Sequence, residues 1–248
     1  QIEVEDGLKL TGHIRECASP RRIIIAMHGW RSSWSMDFGV TADFYHDNGA
    51  IMLYADQRGQ NDSDGEYIGF GILERYDCIK WLEFVRERYG DELPIYLLGV
   101  SMGASTVLMA SGAELPDSVK GIIADCGFTS PKEIWNHILD NNLHLNGKLM
   151  FPLVNSVCKR VAQFDSDCYS TVDALSVNTK PVLFIHGSDD NFVPLKMTFE
   201  NYLACNADKE LLIVPGAGHG MSYITDPKAY EKAVTDFFEK CEGKGFEA

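Results

Sequence analysis

Positive charge is scarce in this sequence: 22 lysines and arginines stand against 36 aspartates and glutamates in 248 residues, a formal net charge of −14. Gripping nucleic acid or an anionic membrane takes clustered cations that displace counterions, so neither is expected as a partner. Paired cysteines are missing as well. The seven present (Cys17, Cys78, Cys126, Cys158, Cys168, Cys205 and Cys241) are odd in number and form no C-x-x-C pair. That argues against a zinc site and a disulfide framework, and it fits a reducing, cytoplasmic compartment. No apolar run reaches the roughly 20 residues of a membrane span. The opening Gln1-Ile2-Glu3-Val4-Glu5-Asp6 lacks a basic-then-apolar leader, although a start without Met leaves open a segment removed before Gln1. Repeats and low-complexity stretches are also missing, so residues 1–248 are read as a single domain.

What is present is an ordinary globular mixture, with 45% hydrophobic and 23% charged residues, in a chain long enough to bury a large core. Residues 2–14 alternate apolar and polar around Asp6-Gly7, which predicts an antiparallel hairpin at a sheet edge. Continuous apolar runs at 23–27, 50–55, 94–98, 121–125, 181–185 and 210–214 predict strands, most of them buried on both faces. Between them, helical spacing is expected over about 36–46, 71–89, 104–110, 197–204 and 227–241. From 128 to 175 the alternation lapses into helix-like spacing alone, as in Ile134, Ile138 and Leu139. This stretch is read as a small helical lid inserted over the top edge of the sheet. Alternating strands and helices imply an α/β fold, a mostly parallel central sheet with helices on both faces.

In such a sheet, reactive groups collect at the carboxyl ends of the strands. The runs deliver His28-Gly29-Trp30, Asp56, Ser101, Asp125, His186-Gly187-Ser188-Asp189-Asp190 and Pro215-Gly216-Ala217-Gly218-His219-Gly220. Ser101 lies within Gly99-Val100-Ser101-Met102-Gly103, between a strand and a helix. This is the context of a nucleophile elbow, where small residues two before and two after the serine let it turn sharply. A serine hydroxyl is hardly ionised at neutral pH and needs an adjacent base. His219, on a loop between two glycines, can serve, because an imidazole titrates near neutrality. Asp189, Asp190 and Asp125 are the acids that could orient it. His28 and His186 read as structural histidines at strand ends.

Taken in order, His28-Gly29, Asp56-x-Arg58-Gly59-x-x-x-Ser63-x-Gly65, the elbow, His186-Gly187-x-x-Asp190-x-x-Val193-Pro194 and Gly218-His219-Gly220 resemble the α/β-hydrolase superfamily over its whole core. Within it the chain is most similar to small single-domain serine hydrolases with a short helical lid, such as bacterial esterases of the cinnamoyl-esterase and Bem46-like type. The resemblance implies Ser101 as nucleophile, His219 as base and Asp190, in preference to Asp189 or Asp125, as the orienting acid. It also implies the backbone N–H groups of Trp30 and Met102 as an oxyanion hole, and a structural role for Asp56, Arg58 and Ser63.

The expected reaction is acyl transfer from a small-molecule ester through an acyl-enzyme, with no metal or cofactor. The lid is rich in apolar and aromatic residues, which favours an aromatic or apolar acyl group, with Trp30, Phe128 and Trp135 as candidate pocket residues. Amide or thioester cleavage by the same triad is the alternative. The amide reading is weighed down because these residues hold no propeller of the kind typical of prolyl-oligopeptidase-like enzymes. A non-catalytic binding protein would have no chemical need for all three of Ser101, Asp190 and His219. An exposed apolar lid is also a candidate homodimer surface.

Overall fold

The computed structural model describes residues 1–243. Seven strands form one sheet: β3 (Gly12–Arg15), β4 (Arg22–Met27), β5 (Ala50–Ala55), β6 (Ile95–Val100), β7 (Val119–Asp125), β8 (Val182–Gly187) and β9 (Lys209–Val214). Their spatial order is β3-β5-β4-β6-β7-β8-β9, with β3 antiparallel to β5 and every other pair parallel. This is the α/β-hydrolase fold.

The runs of β4 to β8 read as continuously apolar because both of their faces are covered. Along β4, Ile23, Ile25 and Met27 point into one core, shared with Trp81, Leu97 and Val107. Ile24 and Ala26 point into the other, shared with Tyr45, Tyr96, Phe237 and Phe238. That two-residue period divides the helices into two layers. The first core draws on α3 (Glu74–Tyr89) and α4 (Met102–Ala110), the second on α2 (Ala42–Asp47) and α10 (Pro227–Cys241).

Three expectations change. The N-terminal hairpin divides: β1 (Ile2–Glu3) pairs with β2 (Lys9–Leu10) as a separate ribbon, and only β3 joins the main sheet. The cause is Thr11, whose N–H donates to Ser63 Oγ (2.9 Å), whose hydroxyl donates to the Asp62 carbonyl (2.8 Å), and whose carbonyl accepts from the Asp56 N–H (3.0 Å). The single helix expected over 36–46 is two, α1 (Trp34–Phe38) and α2, broken at Gly39-Val40-Thr41. The helical stretch between β7 and β8 holds α5 (Pro131–Asn141), α6 (Gly147–Val157), a π-helical turn (Cys158–Ala162) and α7 (Thr171–Val177). Of these, α7 packs on α4 and on α8 (Leu195–Ala204), so it belongs to the layer covering the sheet and the excursion ends before it. Among the described residues no helix is long and apolar enough to cross a membrane.

Candidate active site

The turn from β6 into α4 holds Ser101 at φ 56° and ψ −117°, a left-handed conformation that costs a non-glycine residue about 1 to 3 kcal/mol. The surroundings hold it there: the Ser101 N–H donates to the Asp125 carbonyl on β7 (2.8 Å), and the Ser101 carbonyl accepts from Ser105 N–H (3.1 Å) inside α4. The flanking glycines are obligatory by contact. A methyl on Gly99 would overlap the Gly103 carbonyl, and one on Gly103 would overlap the Met27 carbonyl on β4.

His219 comes from the loop after β9. Its Nε2 lies 2.9 Å from Ser101 Oγ and its Nδ1 lies 2.7 Å from Asp190 Oδ2. Those partners assign the Nδ1–H tautomer, with Nε2 free to accept the serine proton. Asp190, in the loop after β8, has a fully buried carboxylate. Its Oδ1 accepts the N–H groups of Phe192 (2.8 Å) and Val193 (2.9 Å), and His186 Nε2 stands 3.3 Å from its Oδ2. Burial pushes this carboxyl up, but the donors around it, from His186 and His219 first, outweigh burial and hold it below the ordinary carboxylate range. The other two acids are elsewhere. Asp189 is exposed, with Ser188 Oγ donating to it (2.7 Å), while Asp125 accepts from Ser222 Oγ (3.1 Å).

The loop after β4 is tied down around one amide. Gly29 N–H donates to Asp37 Oδ2 (2.6 Å) and Arg31 N–H to Gln60 Oε1 (2.6 Å), while the Trp30 N–H between them has no acceptor among the described residues. Met102 N–H, at the first residue of α4, has none either. His28, fully buried, shapes this loop. Its Nδ1 donates to the Gly29 carbonyl (2.7 Å), and its Nε2 accepts from Gln57 N–H (3.1 Å) and Asn61 Nδ2 (3.2 Å). Burial lowers its pKa, which favours the neutral ring that this pattern requires. Downstream, the Arg58 guanidinium grips Asp77 with two bonds (2.7 and 2.6 Å) and Asp6 with a third (2.8 Å), while Ser63 Oγ donates to the Asp56 carbonyl (2.6 Å). This charge and hydrogen-bond network closes the loop.

The three candidate pocket residues meet through a fourth. Phe70 has ring centroids 5.9 Å from Trp30, 5.0 Å edge-on from Trp135 and 6.3 Å from Phe128. Trp30 is 40% exposed and Phe128 only 2%, so Trp30 is open to solvent while Phe128 packs beneath with Met102 and Val193. Sequence reasoning missed Phe70, and nothing in its local pattern marks it: it lies in an irregular loop at φ 52°. Missed too was Glu74, which reads as an ordinary acidic residue in a first helical turn but is wholly buried. Its carboxylate accepts the N–H groups of Gly69 (2.6 Å) and Gly71 (2.7 Å), on either side of Phe70.

Among the described residues, two groups of side chains come close enough together to share a cation, Cys126 with Asp190 and His219, and His13 with Asp56 and Asp62. In the first, burial pushes the Cys126 thiol well up, away from the thiolate that binds metals, and the other two members are already hydrogen-bonded to each other.

A family model described as the prolyl oligopeptidase family matches residues 34–245. The chain belongs to that family. An uncharacterized protein, YqkD, of Bacillus subtilis is 28% identical over 230 residues, which cover 92% of this chain and 74% of that protein. The esterase Pf2001 of Pyrococcus furiosus superposes with a TM-score of 0.77 at 21% identity, over 96% of this chain and 90% of the other. Est1E of Butyrivibrio proteoclasticus, solved with ferulic acid bound, superposes with a TM-score of 0.69 at 20% identity, over 96% and 97%. Family and fold alike are those of hydrolases.

Proposed function

We propose that this member of the prolyl oligopeptidase family is a serine hydrolase that cleaves carboxylic esters through an acyl-enzyme. The observation that carries the reading is the unbroken chain from Ser101 Oγ through the His219 ring to Asp190, at 2.9 and 2.7 Å. His219 Nε2 takes the proton as Ser101 Oγ attacks the acyl carbonyl, and Asp190 holds the ring in the required tautomer and steadies the imidazolium. Negative charge on the carbonyl oxygen is met by the N–H groups of Trp30 and Met102, donors of a type worth about 2.7 to 4 kcal/mol each. The alcohol leaves with the proton from His219, and water, activated by the same ring, releases the acid.

An aromatic or apolar acyl group is supported by the linked rings of Trp30, Phe70 and Trp135 and by Phe192, whose ring lies 5.0 Å from that of His219. The ferulic acid bound to Est1E, a protein of the same fold, points the same way. Amide cleavage is the second reading, favoured by the family to which the chain belongs. Turnover of p-nitrophenyl esters against p-nitroanilides of the same acyl group tests both. The ester reading expects kcat/KM to be far higher for the ester, and Ser101→Ala to lower it by roughly a millionfold. Comparable values for the anilide overturn the ester reading, and Ser101→Ala turnover at the wild-type rate overturns the triad.

A further inference from the structure

The helical excursion carries an apolar face that stays uncovered among the described residues. On α6 and the π-helical turn that continues it, Leu149, Leu153, Val157 and Val161 follow one another at four-residue steps, which stacks them on one side. Together with Leu143 and Leu145 just before, they are between 46% and 75% exposed. The opposite side of α6 is the packed one: Gly147 and Phe151 are buried, and the Phe151 ring lies 6.4 Å from Trp135 on α5. A contiguous aliphatic stripe of this size on a monomer marks an interaction surface.

Charge decides between occupants. Although the chain carries −14 overall, residues 141–162 contain Lys148, Lys159 and Arg160 and no carboxylate side chain. Lys159 is paired with Asp165 at 2.8 Å, whereas Lys148 and Arg160 meet no carboxylate among the described residues. A second copy, docked about a two-fold axis, would set this cationic stretch against itself. A helix with aliphatic residues on one side, cations beside them and too short an apolar run to span is the pattern that lies in a lipid interface. The overall acidity, which counts against membrane partners, averages away a local reversal of sign.

We infer that α6 and its π-helical continuation dock on an anionic lipid bilayer, the stripe from Leu149 to Val161 entering the acyl boundary and Lys148 and Arg160 meeting headgroup phosphates. The opposite, packed side of α6 reaches the aromatic cluster at the candidate active site through Phe151 and Trp135. Binding is read without substrate, so the inference stands or falls separately from the ester reading.

Co-sedimentation of the full chain with vesicles of phosphatidylcholine, alone or mixed with phosphatidylglycerol, tests it. The wild type pellets with the mixed vesicles and binds pure phosphatidylcholine roughly tenfold more weakly. Leu149→Ser with Leu153→Ser abolishes pelleting and leaves hydrolysis of p-nitrophenyl acetate unchanged, while Lys148→Glu with Arg160→Glu removes the preference for phosphatidylglycerol. Failure of the wild type to pellet, or pelleting indifferent to these substitutions, overturns the inference. So does light scattering that shows a wild-type dimer converted to monomer by the leucine pair, which assigns the face to a second copy.

Discussion

Glu74 clasps Phe70 by the amides on either side of it, at 2.6 and 2.7 Å, and so holds a bulky residue in left-handed backbone beside Ser101's aromatic neighbours. Burial pushes the Glu74 carboxyl up in spite of those donors, a desolvation cost accepted for a fixed loop. Glu74 is therefore a positioning residue. Glu74→Gln keeps one acceptor but turns an NH2 group toward the second amide. The expected result is a KM for aryl-acyl esters raised roughly tenfold, about 1.4 kcal/mol, with kcat for p-nitrophenyl acetate unchanged. Steady-state kinetics on the two substrates check it. An equal loss on both would mean that the clasp supports the fold alone.

Asp190 has its two oxygens divided between tasks: Oδ1 anchors the loop through Phe192 and Val193, and Oδ2 faces His219. Asp190→Asn can keep the loop bonds through its amide oxygen and fails at the Oδ2 position, where its NH2 group meets His219 Nδ1, stabilising the wrong tautomer, and also faces His186 Nε2. Ester kcat is expected to fall roughly ten-thousandfold with little change in the urea midpoint. A fall of less than tenfold would point to Asp125 or Asp189 as the working acid.

Asp125 makes stability depend on pH in the opposite sense from most carboxylates. Burial pushes its carboxyl up to about 6, with His186 and the Ser222 hydroxyl only partly offsetting it. In the unfolded chain an aspartate titrates near 3.9. Between about pH 4 and 6 the folded state therefore binds more protons than the unfolded one, and stability from this group falls as pH rises, remaining lost above pH 6. Asp125→Asn removes the loss. In urea unfolding it is expected to be more stable relative to wild type at pH 7.5 than at pH 4.5, by on the order of 2 kcal/mol. Identical differences at the two pH values would contradict the shift.

The elbow leaves no room for side chains at its glycines. Gly99→Ala presses a methyl against the Gly103 carbonyl. Denaturant unfolding is expected to show a loss of about 3 kcal/mol, at the upper end of overpacking costs. A loss of only a few tenths would mean that the β6–α4 turn relaxes freely.

Strand ends were legible in the sequence because a strand buried on both faces leaves an uninterrupted apolar run, and the polar residue that stops the run marks the edge where chemistry collects. That is how His28, Ser101, Asp190 and His219 stand out. Residues that act through backbone geometry leave no such mark. Phe70 is an aromatic in a loop, and Glu74 differs from an exposed helical glutamate only in what surrounds it. Nor does alternation over residues 2–14 reveal that Thr11 gives up its ladder bonds to the Asp56–Gly65 loop, which splits the hairpin. The far boundary of the helical excursion is blurred in the sequence for a similar reason: the spacing of α7 matches that of α5 and α6, and only packing against α4 distinguishes it.

The most direct test of the account is the site of covalent labelling by a fluorophosphonate, followed by mass spectrometry of the digested protein. One adduct on Ser101 is expected, formed rapidly in the wild type and lost in His219→Ala, because the imidazole must take the serine proton. An unmodified Ser101, or an adduct on another serine that persists in Ser101→Ala, would contradict it.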